Sequence, residues 1–572
     1  MKKRDSGRDK KPAEKTFALH RIGVDFMQQR LLEQLVILPI LLCGKLALFC
    51  VNFLTTFIGP AMKIKRIAIV GGGTAGWLAA NHLGLALHRD PEIEITLIES
   101  EDVPIIGVGE GTVPLIRETL EKFGISEVDL ITDCDTTFKH GIKFVDWLKP
   151  VQPGADNFYY HPFSPAFPGG YDVTAFMLAN RDRLSFSEVG PGALACEAMR
   201  CPKLISSPPY QGELGYAYHV NAQKFAQLLA RNAKQAFGVR HKWATISGAT
   251  RHEDGSVAAL VLSSGETIEY DFYVDCSGFA SVLVGGVLGI EFVDKSGQII
   301  TDVALVQQVP TAPESDIAPY TKATAHAAGW IWDIPVTNRR GTGFVYSSAH
   351  MSDELAVETF ARYLGIQGSA FSPRKIPMKI GYRRQFWAKN CVALGLAQGF
   401  VEPLEATSIF LTDMSAQLFA SNFPRFTSDI EVLKNHCNEV VQYWWERTID
   451  FIQLHYLISN RDDSQFWIDN AQSTNLSAIL KDRLARWQLA SPKRSDFFSN
   501  FDLFDATSYS YILYGMKYGT RQSALSQEQA AESGEQLEAV RARARFLRTN
   551  LPGHREWLTK LNAAMAEARR HV

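Results

Sequence analysis

The stretch Ile67-Ala68-Ile69-Val70-Gly71-Gly72-Gly73-Thr74-Ala75-Gly76 decides the fold. Four apolar, mostly β-branched residues bounded by glycine read as a short buried strand. Trp77-Leu78-Ala79-Ala80-Asn81-His82-Leu83 follows and is helical in character. Between them stands G-x-G-x-x-G in its proper context, strand before and helix after. Gly71 allows the tight turn, Gly73 lets backbone approach a pyrophosphate, and Gly76 lets helix and strand pack closely. Thr74 and Ala75 open the helix, where free N–H groups and the dipole favour an anion. A second expected strand, residues 93–98, ends at Glu99, 23 residues after Gly76. An acidic residue there suits a ribose hydroxyl. The stretch reads as an adenine-dinucleotide site; the competing reading is a glycine-rich turn in an unrelated α/β unit.

Two later segments favour FAD over NAD. Phe272-Tyr273-Val274-Asp275-Cys276-Ser277-Gly278 and Asn390-Cys391-Val392-Ala393-Leu394-Gly395-Leu396-Ala397 each read as a strand ending in a small-residue turn. Their separation suits a discontinuous flavin domain. Gly285-Gly286-x-x-Gly289 lacks a convincing strand before it, so no second motif for NAD(P)H follows. Electrons are therefore expected from another protein.

Composition sets the class. The chain has 572 residues, 46% hydrophobic and 21% charged, enough apolar material for a large core. A net charge of −2 gives no basic excess to argue for nucleic acid. Eight cysteines without a C-x-x-C pair exclude a disulfide scaffold and speak against a structural zinc site. Cys134, Cys196, Cys201, Cys276, Cys391 and Cys437 are expected as buried thiols.

Residues 1–61 differ from the rest. They carry 10 Lys/Arg and 5 Asp/Glu, net +5, leaving −7 for the remainder. A basic start precedes an apolar run over 35–60, broken by Lys45 and Asn52. The run is long enough to span a bilayer. As a signal peptide its apolar region is long and its cleavage pattern poor. The favoured expectation is translated upstream sequence with Met62 as the start, because Met62-Lys63-Ile64-Lys65-Arg66 leads directly into the first strand. The expected location is then cytoplasmic; a real helix over 35–60 makes the protein membrane-tethered instead.

Four stretches carry a family resemblance. They are the glycine turn with Gly107-Val108-Gly109-Glu110-Gly111-Thr112-Val113-Pro114; Phe138-Lys139-His140-Gly141-Ile142-Lys143-Phe144; Trp330-Ile331-Trp332-Asp333-Ile334-Pro335; and Phe400-Val401-Glu402-Pro403-Leu404-Glu405-Ala406-Thr407. On these motifs the chain resembles the flavin-dependent tryptophan halogenase family, W-x-W-x-I-P being the most discriminating. The similarity runs from about Met62 into the C-terminal third, including His455-Tyr456 and Ser459-Asn460-Arg461-Asp462-Asp463. It implies an α/β fold: a Rossmann-like FAD-binding domain of flavin monooxygenase type, interleaved with substrate-side segments over 62–412, and a mostly helical region over 413–572. Residues 524–570 read as amphipathic helices broken at Pro552. Gly109, Glu110 and Leu396 join the cofactor-side residues.

Lys139 and Glu405 match the family's catalytic lysine and glutamate. Alone, each would read as a solvated surface group. The resemblance implies that FADH2, O2 and halide together yield hypohalous acid. A lysine ammonium polarises that species, or its free amine forms a haloamine, so a diffusible oxidant becomes a positioned electrophile. After the aromatic ring attacks, a carboxylate stabilises the cation and takes its proton.

The family's halide site uses backbone amides where Thr407 and Ser408 stand. The family's Ser-Thr-Gly is here Ala406-Thr407-Ser408. If the glycine position is left-handed, serine narrows its backbone and bears on chloride against bromide preference.

His161 and Phe163 match the family's substrate side. Trp330 and Trp332, two apart, share one strand face; read alone they are core packing, and the resemblance implies that they lie near the flavin on the substrate side. Asp505 stands where a stacking tryptophan is expected, so an indole, a phenol or a larger aromatic is as fitting a substrate as free tryptophan. A separate flavin reductase and a homodimer complete the expectations. The alternatives are a flavin-dependent aromatic hydroxylase and a non-catalytic, membrane-tethered flavoprotein.

Overall fold

The first expected strand forms as Arg66–Val70, between two parallel neighbours. Val70 pairs with Ile98 of Glu94–Glu99 on one side and Asp275 of Phe272–Asp275 on the other. Ile67 to Val70 are all buried because both sheet faces are covered, so the strand reads as continuously apolar rather than alternating. The full sheet has six strands in the order Trp387–Ala388, Cys391–Ala393, Phe272–Asp275, Arg66–Val70, Glu94–Glu99, Arg240–Trp243. Helix Thr74–Leu87 follows the first strand and packs against helices Ala222–Phe237 and Thr407–Ser421.

This computed structural model describes residues 61–103, 110–149, 157–366, 368, 371–499, 502–521 and 524–570. Gly109 and the apolar run 35–60 lie outside the described residues.

A second sheet is threaded through the first in sequence. Its seven strands are Arg374–Pro377, Val303–Pro310, Arg339–Tyr346, Gly329–Pro335, Thr321–His326, Gly141–Val145 and Phe158–Pro162, in that order. Trp332 pairs with Gly343 in this sheet. A Cβ on Gly343 would sit 2.1 Å from the Trp332 indole, so only glycine leaves room for the ring there. A three-stranded sheet of Glu110–Gly111, Ala217–Val220 and Thr137–Lys139 carries the lysine.

Beyond Gly399–Phe400 the described elements are helices. Ile430–Leu457, 28 residues long, buries its second half, including Trp444, Phe451 and His455. Gln527–Asn550 and His554–Arg570 are separated at Pro552, as its missing N–H and fixed φ require. The architecture is the expected α/β class with an interleaved second sheet and a helical C-terminal region. The six expected thiols are all buried and free. Among the described residues no helix is long and apolar enough to cross a membrane. Among them too, no group of three or more His, Cys, Asp or Glu is placed to hold a metal.

Candidate active site

The glycine turn has the geometry its sequence implies. Gly71 has φ +114°, and a Cβ there would lie 2.2 Å from the Cys276 carbonyl oxygen. A Cβ on Gly76 would lie 1.9 Å from the Gly71 oxygen, which is the close helix–strand contact. Gly73 has nothing within 4 Å of its Cβ position and opens on a cavity. That cavity, about 660 Å³, is lined by Gly71, Gly73, Thr74, Ala75, Glu99, Glu110 and Leu396. Lys139, Trp332 and Ser408 line the same space. One continuous volume therefore joins the dinucleotide turn to the lysine.

Glu99 ends its strand within 2.7 Å of His241 Nε2, which fixes the carboxylate beside the turn. Burial pushes its pKa up, and the His241 charge opposes that shift. Glu110 is pushed up to about 7 by burial. The residues present fit FAD: an open helix N-terminus for the pyrophosphate, an acidic acceptor one strand over, and an elongated apolar cavity.

Lys139 is fully buried. Its Nζ donates to the Thr112 carbonyl at 3.2 Å and lies 5.1 Å from the centroid of the Phe163 ring. Burial pulls its pKa down to about 7, with the Glu405 charge resisting. Near neutral pH the group stands between ammonium and amine, so neither form of the lysine chemistry is excluded.

Glu405 is 2% exposed. His161 Nδ1 lies 3.0 Å from its Oε2 and 3.1 Å from its Oε1. His455 Nε2 lies 3.0 Å from Oε1. Burial alone would raise the carboxyl pKa; the charges and hydrogen bonds of His161 and His455 outweigh it and hold the group at about 2. The structure thus gives His161, expected against substrate, a direct contact with the carboxylate. His455 carried no assigned role in the sequence; it reaches Glu405 only because helix Ile430–Leu457 docks there.

Left-handed strain falls on Ala406, not on Ser408. Ala406 has φ +56°, while Thr407 and Ser408 open the helix Thr407–Ser421. A left-handed non-glycine residue costs about 1–2 kcal/mol. The serine-for-glycine change is accommodated in helical backbone, and the first N–H groups of that helix lack intrahelical carbonyls. Free N–H groups at a helix start suit a halide. Ser408 faces the cavity, and the buried Thr407 hydroxyl has no hydrogen-bond partner.

The two tryptophans have different surroundings. Trp330 is fully buried and donates its indole N–H to Glu402 at 3.2 Å. Trp332, its ring centroid 6.2 Å away, lines the cavity. Asp505 caps the helix Ala506–Gly515, accepting from the Ser508 N–H at 2.8 Å. Aromatic character comes instead from neighbours: Tyr511 stands 6.2 Å from the His161 ring, and Phe504 stacks on Phe451 at 3.8 Å.

The model of the tryptophan halogenase family matches residues 66–532. The chain belongs to the tryptophan halogenase family. It is 32% identical over 522 residues to the tryptophan 6-halogenase of Streptomyces toxytricini, covering 87% of this chain and 98% of that one. A tryptophan halogenase structure from Shewanella frigidimarina superposes with TM-score 0.83 at 36% identity, covering 88% of this chain and 98% of that one. A flavin-dependent halogenase from Brevundimonas sp. BAL3 gives TM-score 0.77 at 32% identity, covering 87% and 99%.

This halogenase is an enzyme that uses FADH2, O2 and halide, with reduced flavin supplied by a separate reductase. The hydroxylase and non-catalytic readings fall with that membership. When bound at the glycine turn, FADH2 would activate O2, the oxidant, toward halide; this chain's own residues would hold the flavin and position the product of that reaction.

Proposed function

We propose that this halogenase acts on an indole- or phenol-like ring, with Lys139 positioning the electrophile and Glu405 taking the ring proton. The continuous cavity from the glycine turn to a buried Lys139, with Glu405 acting on that lysine's charge, carries the reading. Gly71, Gly73, Thr74, Ala75, Gly76, Glu99, Glu110 and Leu396 bind FAD in this proposal, and Gly109 joins them from its motif. Thr407 and Ser408 bind halide. His161, Phe163, Trp330 and Trp332 form the substrate side, the two indole rings 6.2 Å apart between centroids. Relatives named for tryptophan make an indole the natural first substrate. The Asp505 cap leaves the tryptophan clamp unfilled, which widens the choice to substituted indoles, phenols and larger aromatics.

The test pairs the enzyme with a flavin reductase, NADH and FAD on a panel of indoles and phenols. Chloride and bromide are run separately, and isotope patterns are read by mass spectrometry. A halogenated product that vanishes in Lys139→Ala is expected. Hydroxylated product, or unchanged turnover in Lys139→Ala, would overturn the proposal.

The finer organisation belongs to the same proposal. Residues 1–61 are a basic and apolar N-terminal extension in sequence, residues 62–412 hold the FAD and substrate segments, and 413–572 the helical region. The enzyme is cytoplasmic, homodimeric and without nucleic-acid partners. Fractionation of the full chain beside one starting at Met62, followed by light scattering, tests the location and the dimer.

A further inference from the structure

We propose that His455 is a fixed imidazolium that holds Glu405 as an anion, making it the positioning residue behind proton removal. The hydrogen bonds of the ring carry this. His455 Nδ1 lies 2.8 Å from the Phe451 carbonyl, which only accepts, so Nδ1 bears a hydrogen. Its Nε2 faces Glu405 Oε1 at 3.0 Å. A neutral ring protonated on Nδ1 would point a lone pair at a carboxylate oxygen. One more proton must therefore lie in that contact, on the ring or on the carboxyl.

His161 decides between the two. Its Nδ1 lies 3.0–3.1 Å from both carboxyl oxygens and donates to them. A carboxyl whose two oxygens both lie within reach of the His161 N–H is a better acceptor as the anion than as the acid, which leaves the remaining proton on His455 Nε2. A lone buried carboxylate would be prohibitively desolvated; beside an imidazolium it is a paired charge. The other groups near the pair do not supply that proton. Lys139, on strand Thr137–Lys139, acts on Glu405 through its field. Tyr159, on the His161 strand, is buried with a hydroxyl that has no hydrogen-bond partner. Glu402 is occupied by Thr301, Trp330 and Tyr456. Around His455 the packing is otherwise aromatic, with Phe144, Trp147 and Phe451 within 6.0 Å of its ring centroid.

The consequence is chemical. The ring C–H bond breaks, its electron pair restores aromaticity, and the proton bonds to Glu405 Oε2, the oxygen that His455 does not contact. Oε1 stays tied to His455 throughout, so the carboxylate neither rotates nor picks up a solvent proton first.

The inference rests on Glu405 as the proton acceptor, but its test does not need turnover. Full-length enzyme labelled with nitrogen-15 histidine is examined by NMR near pH 8, with His455→Gln assigning the resonances. Protons on both His455 ring nitrogens are expected; an unprotonated Nε2 would overturn the proposal. His455→Gln keeps a donor but removes the charge. Its kcat is expected to fall about ten-fold at about pH 6 and recover toward pH 8, with the substrate KM nearly unchanged. A pH profile matching wild type in a folded, flavin-binding His455→Gln would also overturn it. Lys139→Ala reports on the halogenase reading independently.

Discussion

Trp330 Nε1 is 3.2 Å from Glu402 Oε1, so the first tryptophan of the W-x-W-x-I-P motif is tied to the residue three before Glu405. Glu402 also accepts from Thr301 and Tyr456, and burial pushes its pKa up to about 7. The bond links the second sheet to the loop that carries the carboxylate. Trp330→Phe keeps an aromatic ring but leaves Glu402 one donor short. It should cost about 1–3 kcal/mol in a denaturant melt with FAD affinity retained. Trp332→Phe, on the cavity wall, should change flavin binding or product yield more than stability.

Lys139 carries a pH signature. Its folded pKa of about 7 lies below its ordinary 10.5. Between those values the unfolded chain binds more protons, so wild-type stability rises with pH there. Below about pH 7 the penalty of the buried charge is fully present. Lys139→Met should therefore abolish halogenation and stabilise the fold, on the order of a few kcal/mol. That gain should shrink as pH rises from 7 toward 10. Melts of both proteins across this range check the sign.

Gly111 lines the cavity beside the lysine. A Cβ there would lie 3.3 Å from Lys139 Nζ and 3.5 Å from both Ala406 Cβ and Thr321 Oγ1. Gly111→Ala should leave flavin binding and oxygen consumption intact while cutting halogenated product about ten-fold. Freed oxidant, trapped by a halogen-scavenging dye, should rise. Equal losses of oxygen consumption and product would refute this role of Gly111.

Ala406 holds a left-handed conformation. Ala406→Gly should relieve about 1 kcal/mol of strain, partly offset by the greater freedom of glycine in the unfolded chain. A small rise in melting temperature is the expected reading. A fall would mean that the packing of the methyl, near Gly111, outweighs the strain.

Asp505→Ala removes the cap of helix Ala506–Gly515 and should cost about 1 kcal/mol. If Asp505 served substrate instead, KM would rise without a change in melting.

What the sequence determined by itself was local or carried by motif. An apolar β-branched run into Gly71, Gly73 and Gly76 can only turn and start a helix, because each signal acts within a few residues. The flanking motifs singled out Lys139 and Glu405 without any view of their surroundings. What those residues are chemically was decided by tertiary structure. Glu405 meets His455 across 50 residues and His161 across 244, and Trp330 meets Glu402 across 72. No periodicity encodes such meetings. They arise when a long helix, an interleaved sheet and a strained loop dock on one another; there burial brings Lys139 down to about 7, while His161 and His455 overcome burial and hold Glu405 at about 2.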